Sequence, residues 1–245
     1  PYISPACRGA HPAELITSPT LEDVQILLHS AQGSIRMMTI APEIVDRDII
    51  KYMHDQGVVL SAGHSNASYE EGKAFLHNPI RTVTHLYNAM PGLHHRELGY
   101  ILAVFEDRPF ASIVADGIHV AFPMIKLAKR ELREKLFLIT DAVTHTEEGV
   151  YPHILQNNDR YVIPDGTLSG SALTMLKAVQ NCVNYCDISF EEAVNMASLY
   201  PAQVLRVDDK KGQVKVGFDA DFCVVNAQLE VQSTYINGKC VFRKH

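Results

Sequence analysis

Five short apolar runs recur along this chain, at Ile35–Ile40, Val58–Ala62, Thr82–Leu86, Ala111–Ala115 and Leu136–Thr140. Each closes on a polar or charged residue and is followed by a loop and an amphipathic stretch. Runs this short and this rich in β-branched residues suit strands buried on both faces of a parallel sheet. The stretches between them predict helices over Pro42–Gln56, Tyr69–His77 and Pro123–Glu134, with Asp46 and Ser68 as start signals. Run midpoints recur every 20 to 30 residues or so, the spacing of βα units and not of a sandwich. No repeated sequence accompanies this period, so it is architectural. Five parallel strands do not close a (β/α)8 barrel, which needs eight. The pattern is that of an open doubly wound sheet, or of a barrel whose first three units lie before Pro1.

Beyond Asp141 the pattern changes. Val150–Pro164 predicts a small β excursion with a turn at Asn157-Asn158, and helices are expected over Ser171–Tyr185 and Ser189–Leu199. From Lys211 to Phe242 the residues alternate as short strands: GQVKVG, then ADFCVV, then VQSTYING with a turn at Asn237-Gly238. The expected organisation is a βα portion over 1–207 and strands of a small β domain over 208–245.

Composition narrows the class. The chain has 245 residues, 47% hydrophobic and 20% charged, and 22 Lys+Arg against 28 Asp+Glu give a net charge of −6. These values exclude disorder, collagen and a coiled-coil rod. Mild acidity offers no footprint for nucleic acid, and no apolar run approaches the ~18–20 residues that cross a bilayer. The first residues show no basic, apolar, small-residue leader pattern, so a secretory signal is not expected among them. Five cysteines, an odd number, do not form a disulfide framework and suggest a reducing cytoplasmic setting. Cys182 and Cys186, four apart on a predicted helix, read as core residues and not as a metal pair.

In barrels and open α/β sheets, chemistry sits at the carboxyl ends of strands. Run two ends in Gly63-His64-Ser65-Asn66, run three contains His85 before Leu86-Tyr87-Asn88-Ala89-Met90, run four ends in Asp116-Gly117 with His119 close behind, and run five ends in Thr140-Asp141-Ala142. Successive strands thus deliver His, His, His and Asp to one rim. Neutral imidazoles bind divalent metals, and a carboxylate beside an activated water can take and return its proton. One histidine after a strand is more often a loop or core residue; placement on three consecutive strand ends is a different matter. His94, His95, His145 and His153 lack such placement and read as loop residues, and His11 is ambiguous. Asn88, Arg96 and the loop Asp165–Ser171 form a second group, suited to an anion or a sugar hydroxyl. That loop is equally a plain helix cap through Ser169 or Ser171. No GxGxxG, GxxxxGK[ST] or GxSxG string occurs.

The strings SAGHSNAS, THLYNAMPGLHHRE, IVADGIHV, LITDA and DGTLSGSALTM, in order between about Arg8 and Gly238, resemble the N-acetylglucosamine-6-phosphate deacetylases of the amidohydrolase superfamily. The resemblance implies a (β/α)8 TIM-like metal-dependent hydrolase barrel, of which this chain carries strands 4–8, with part of a small β domain. It implies His64 and His85 as ligands of one divalent metal per subunit, zinc first and iron, cobalt, manganese or nickel as alternatives. Asp141 matches the general base, and His11 the histidine that holds and polarises the substrate carbonyl. Asn88, Ala89 through its backbone, Arg96 and His119 match sugar-phosphate contacts, and Leu168 lines the sugar site. A homodimer is implied, because some of these phosphate contacts cross a subunit interface. The family's third protein ligand is a glutamate in an E-G-P string, which would start just before Pro1; the expectation is a chain lacking that ligand, three strands and part of the small domain. Val143-Thr144-His145 is a further departure, where the family varies. The implied reaction is hydrolysis of the acetamide of N-acetylglucosamine 6-phosphate. The alternatives are another amidohydrolase deacylase, and a non-catalytic fragment that binds metal or sugar phosphate weakly.

Overall fold

The apolar runs pair as parallel strands in chain order. In a computed structural model that describes residues 1–76 and 78–244, β1 (Met37–Ile40), β2 (Val59–Ala62), β3 (Thr82–Val83), β4 (Phe110–Val114) and β5 (Leu136–Ile139) form one sheet ordered β1-β2-β3-β4-β5. Every pair is parallel. Each strand lies beside its predecessor, always on the same side. A doubly wound sheet reverses its order at a switch point; this one does not, so the winding is that of an arc of a (β/α)8-type barrel.

The helices between strands are α2 (Arg47–Asp55), α3 (Tyr69–Phe75), α4 (Tyr100–Asp107) and α5 (Phe122–Leu132), with α1 (Leu21–Ala31) ahead of the sheet. The Asp46 side chain accepts from the Asp48 amide at the start of α2. Ser68 and Glu71 form a reciprocal capping box at α3, an arrangement worth about 1 kcal/mol. The end predicted at His77 falls on a residue outside those described. Two apolar clusters hold the layers together. One joins Leu86, Ile113, Leu136 and Leu138 to Tyr100, Ile101 and Val104 of α4; the other joins Ile40 and Leu60 to Ile49, Ile50 and Met53 of α2. Each such fully buried side chain contributes roughly 1.5–3 kcal/mol.

After β5 the chain makes an antiparallel sheet of β6 (Ile154–Gln156), β7 (Arg160–Val162) and β8 (Leu168–Ser171). Asn157 and Asn158 both take left-handed φ at its first turn, as the dipeptide predicts. Three helices follow: α6 (Met175–Tyr185), α7 (Phe190–Ala197) and α8 (Leu199–Val204). The expected helix start at Ser171 is thus displaced. Ser171 belongs to β8, and the Thr174 side chain caps α6 by accepting from the Lys177 amide. The tail forms a second antiparallel sheet of β9 (Phe222–Val225), β10 (Val231–Ile236) and β11 (Lys239–Arg243), ordered β11-β10-β9. The first expected tail strand is absent. Val214 and Val216 are 91% and 100% exposed, because alternation makes no strand without a partner to receive its backbone hydrogen bonds. Among the described residues, no helix is long and apolar enough to cross a membrane.

Candidate active site

The rim is built where β2, β3, β4 and β5 end. Gly63 closes β2 over a cluster of hydroxyls: Thr39 lies 2.8 Å and Ser61 2.6 Å from the Thr84 hydroxyl. A Cβ on Gly63 would stand 2.8 Å from both Thr39 Cγ2 and Thr84 Cβ, so only glycine lets the chain turn here. His64 then adopts φ 49°, and its carbonyl accepts from the Ser4 amide at 2.9 Å. Glu43, three residues beyond β1, holds the next two residues: its carboxylate accepts from the Ser65 hydroxyl at 2.8 Å and the Asn66 amide at 2.7 Å.

His64 Nδ1 lies 2.8 Å from the Cys7 carbonyl, an acceptor only. That contact puts the ring proton on Nδ1 and leaves Nε2 with a free lone pair. His85, 5% exposed, takes φ 35°, and its amide donates to the Ser112 hydroxyl of β4 at 2.8 Å. The two Nε2 atoms face each other at 2.9 Å, the rings edge-to-face at 4.7 Å and 75°. Burial, and then the neighbouring His85, pushes the His64 imidazole down to about 4. Burial also holds His85 below its ordinary value, against the opposing charge of Asp141. Both rings are therefore neutral donors at physiological pH.

His11 stands beside this pair, edge-on to His64 with centroids 5.0 Å apart, and its Nδ1 is hydrogen-bonded to the Tyr151 hydroxyl. Burial is the main cause that lowers its pKa, with Asp141 acting the other way. Asp141 itself is exposed at the rim with φ 50°, its carbonyl accepting from the Ser171 amide of β8 at 2.8 Å. His119 is fixed by Asp116: Nδ1 and Oδ2 are 2.5 Å apart, with the side chains 6% and 5% exposed. Burial pushes the Asp116 carboxyl up, but bonds from the His119 ring and the Ile118 and His119 amides outweigh it and hold it low.

The structure thus gathers His11, His64 and His85, with Asp141 within electrostatic reach of His11 and His85, and His119 within reach of His85. Asn88 and Ala89 occupy the turn after His85, where the Asn88 amide donates to the His85 carbonyl at 2.9 Å and Ala89 takes φ 51°. Arg96 stands apart, exposed on the loop after Pro91, where it lines a cavity of about 610 Å3 with Asn66, Glu70, Glu71 and His94. Leu168 lies half-buried in β8 opposite Val162. Three contributors lay outside the sequence-based expectation. Glu43 follows the first run and was open to the same strand-end argument as the others. Tyr151 and the Cys7 carbonyl sit in irregular segments that carry no periodic signal. His153, read as a loop residue, bonds through Nδ1 to the Ser169 hydroxyl at 2.9 Å.

Two neutral imidazole nitrogens converging on one point, one with its tautomer fixed by a carbonyl, fit a divalent cation of borderline softness. Among the described residues, no group of three or more His, Cys, Asp or Glu side chains that could hold a metal ion is gathered. The donor set supplied here is therefore the pair His64 and His85.

A model of the amidohydrolase family matches residues 35–241. The chain is 33% identical over 253 residues to the N-acetylglucosamine-6-phosphate deacetylase of Haemophilus influenzae, covering 98% of this chain and 65% of that protein. It is 34% identical over 261 residues to the Danio rerio protein of the same name, covering 100% of this chain and 64% of that one. The crystal structure of N-acetylglucosamine-6-phosphate deacetylase from Pasteurella multocida superposes with a TM-score of 0.91 at 30% identity, over 98% of this chain and 65% of that one. The chain thus spans about 65% of the length of these relatives.

Proposed function

We propose, from the premise that this chain belongs to the amidohydrolase family, that it carries the reaction rim of a metal-dependent hydrolase. The substrate is the acetamide of an N-acetylated amino-sugar phosphate, N-acetylglucosamine 6-phosphate first, and the products are the free amine and acetate. The observation that carries this reading is the 2.9 Å approach of His64 Nε2 to His85 Nε2 at the ends of adjacent strands. The names of the relatives support the substrate class.

In this reading His64 and His85 hold the metal, zinc by preference. When bound, it supplies Lewis acidity to the acetamide carbonyl and to the attacking water. Asp141 takes one proton of that water as its oxygen bonds to the carbonyl carbon, then delivers it to the nitrogen as the C–N bond breaks. His11 donates a hydrogen bond to the carbonyl oxygen as that atom gains charge. Arg96, His119, Asn88 and the Ala89 amide bind the phosphorylated sugar and Leu168 lines its ring, so the amide is held in register with Asp141. His119 is suited to this because Asp116 occupies Nδ1 and leaves Nε2 without that partner. A homodimer, with phosphate contacts shared between subunits, belongs to the same reading, and the exposed position of Arg96 supports it. The proposal includes a cytoplasmic setting and a division into a barrel portion (1–207) and strands of the small β domain (208–245).

A second reading, a weak metal or sugar-phosphate binder without turnover, is favoured by the two-member donor set. The deciding experiment measures acetate release from N-acetylglucosamine 6-phosphate and from unphosphorylated N-acetylglucosamine, with added zinc and after chelation. Zinc-dependent turnover selective for the phosphorylated sugar is expected. Turnover that survives chelation refutes the metal-dependent reading, and zinc binding without turnover replaces it with the second.

A further inference from the structure

We propose that Tyr151 sets the tautomer of His11, keeping the ring proton on Nε2, where it faces an attacked carbonyl oxygen. The chemical consequence rests on the deacetylase reading above; the structural claim stands without it.

A neutral imidazole carries one N–H and one lone pair, and a partner on one nitrogen decides which is which. The Tyr151 hydroxyl is that partner, at Nδ1 of His11. Two polarities are open to the bond. If Nδ1 donates, Nε2 presents a lone pair, which repels a developing oxyanion. If the phenol donates, Nε2 carries the proton and can stabilise that charge. The chemistry of the groups favours the second. An imidazole nitrogen is a far better base than a phenol oxygen, and a phenol is the better acid. Burial, with the nearby Glu14 carboxylate, raises the Tyr151 pKa further, so the proton is there to give. Among the described residues, the hydroxyl makes no other hydrogen bond.

Tyr151 is also held in place. It sits on an arm whose ends pair through reciprocal bonds between Thr146 and His153, at 3.0 and 2.8 Å. Its ring stacks on His153, centroids 6.1 Å apart at 28°. His153 in turn bonds the Ser169 hydroxyl of β8, the strand whose Ser171 amide holds the Asp141 carbonyl. One arm therefore ties the orientation of His11 to the segment that carries Asp141. Tyr151 is a positioning residue that acts through His11.

The test is an NMR measurement on protein labelled with 15N-histidine. Long-range proton–nitrogen correlations report which ring nitrogen is protonated, and a His11→Gln variant assigns the signal. In the wild type, His11 is expected with Nε2 protonated and Nδ1 bare. In Tyr151→Phe, that preference is expected to be lost. A proton on Nδ1 in the wild type, or an unchanged tautomer in Tyr151→Phe, overturns the proposal. Should Tyr151→Phe fail to fold, the wild-type spectrum alone decides. On N-acetylglucosamine 6-phosphate, Tyr151→Phe should lower kcat ~10-fold with KM held within about twofold, less than the ~10²–10³ of deleting an oxyanion donor. If the wild type hydrolyses no such substrate, the functional reading fails while the spectrum still decides the tautomer.

Discussion

Replacing Glu43 should reach the site without touching any residue that contacts substrate. Its two carboxylate oxygens accept from the Ser65 hydroxyl and the Asn66 amide, immediately after His64. In Glu43→Ala both donors lose their partner. Ser65 is fully buried and its oxygen still accepts from the Ala67 amide, but its proton is left without an acceptor at a cost of about 1–3 kcal/mol; the exposed Asn66 can recover water, so its loss is nearer 1 kcal/mol. The sum, about 2–4 kcal/mol, corresponds to a fall in Tm of roughly 4–16 °C for a chain of this size. The released turn also frees the left-handed backbone of His64, which carries Nε2 away from His85. Metal affinity should therefore fall about tenfold or more. Glu43→Gln keeps one acceptor and the shape, and should cost about 1 kcal/mol with a smaller loss of affinity. Urea unfolding of the metal-free protein and calorimetric zinc titration measure the two effects separately. A Glu43→Ala protein within about 0.5 kcal/mol of wild type, binding zinc equally well, refutes the argument that this carboxylate holds the His64 turn.

Asp141→Asn should abolish acetate release while leaving bound zinc unchanged by elemental analysis; retained turnover refutes its role in proton transfer. Arg96→Ala should raise KM for N-acetylglucosamine 6-phosphate and leave the unphosphorylated sugar almost unaffected, and equal losses on both would remove Arg96 from phosphate binding. Asp116 has a folded pKa below its unfolded value, so it contributes stability that is present above the unfolded pKa and is lost as pH falls through the folded one. Asp116→Asn should flatten that part of the stability–pH profile below about pH 4, as read by urea midpoints; an unchanged slope there counts against the assigned hydrogen bonds.

The sheet was legible because burial on both faces leaves a compositional trace. The five runs coincide with the five parallel strands to within a few residues. Strand order was not legible from periodicity: a run of apolar residues carries no information about which side its neighbour takes, so the runs alone fit doubly wound and barrel arrangements equally, and only the family resemblance favoured the barrel. Helix α4 escaped notice because Tyr100–Phe105 is apolar almost throughout, and periodicity cannot separate a buried helix from a strand. Helix α1 escaped for the opposite reason. Val24 alone is buried, so the apolar stripe is faint, although the capping box of Thr20 and Asp23 marks its start. The strand-end rule singled out His64, His85, His119 and Asp141 as residues of one rim. Nothing comparable located Tyr151, whose place depends on how an irregular arm folds back over the rim.

The backbone at the rim separates a site from a coincidence of loop residues. His64, His85 and Asp141 hold φ of 49°, 35° and 50°, the left-handed region, which histidine and aspartate enter more often than most side chains but less readily than glycine. Each costs about 1–3 kcal/mol against an unstrained turn. A chain selected only to leave a strand would place glycine at such points, as it does at Gly117 after β4. Instead each strained residue is held by a neighbour from another segment: Ser4 at the His64 carbonyl, Ser112 at the His85 amide, Ser171 at the Asp141 carbonyl. Left-handed φ occurs elsewhere in the chain too, at Gln32, Arg108 and Leu229 among others; what distinguishes the ends of β2, β3 and β5 is that the turns held in this way present two imidazoles and a carboxylate at one rim.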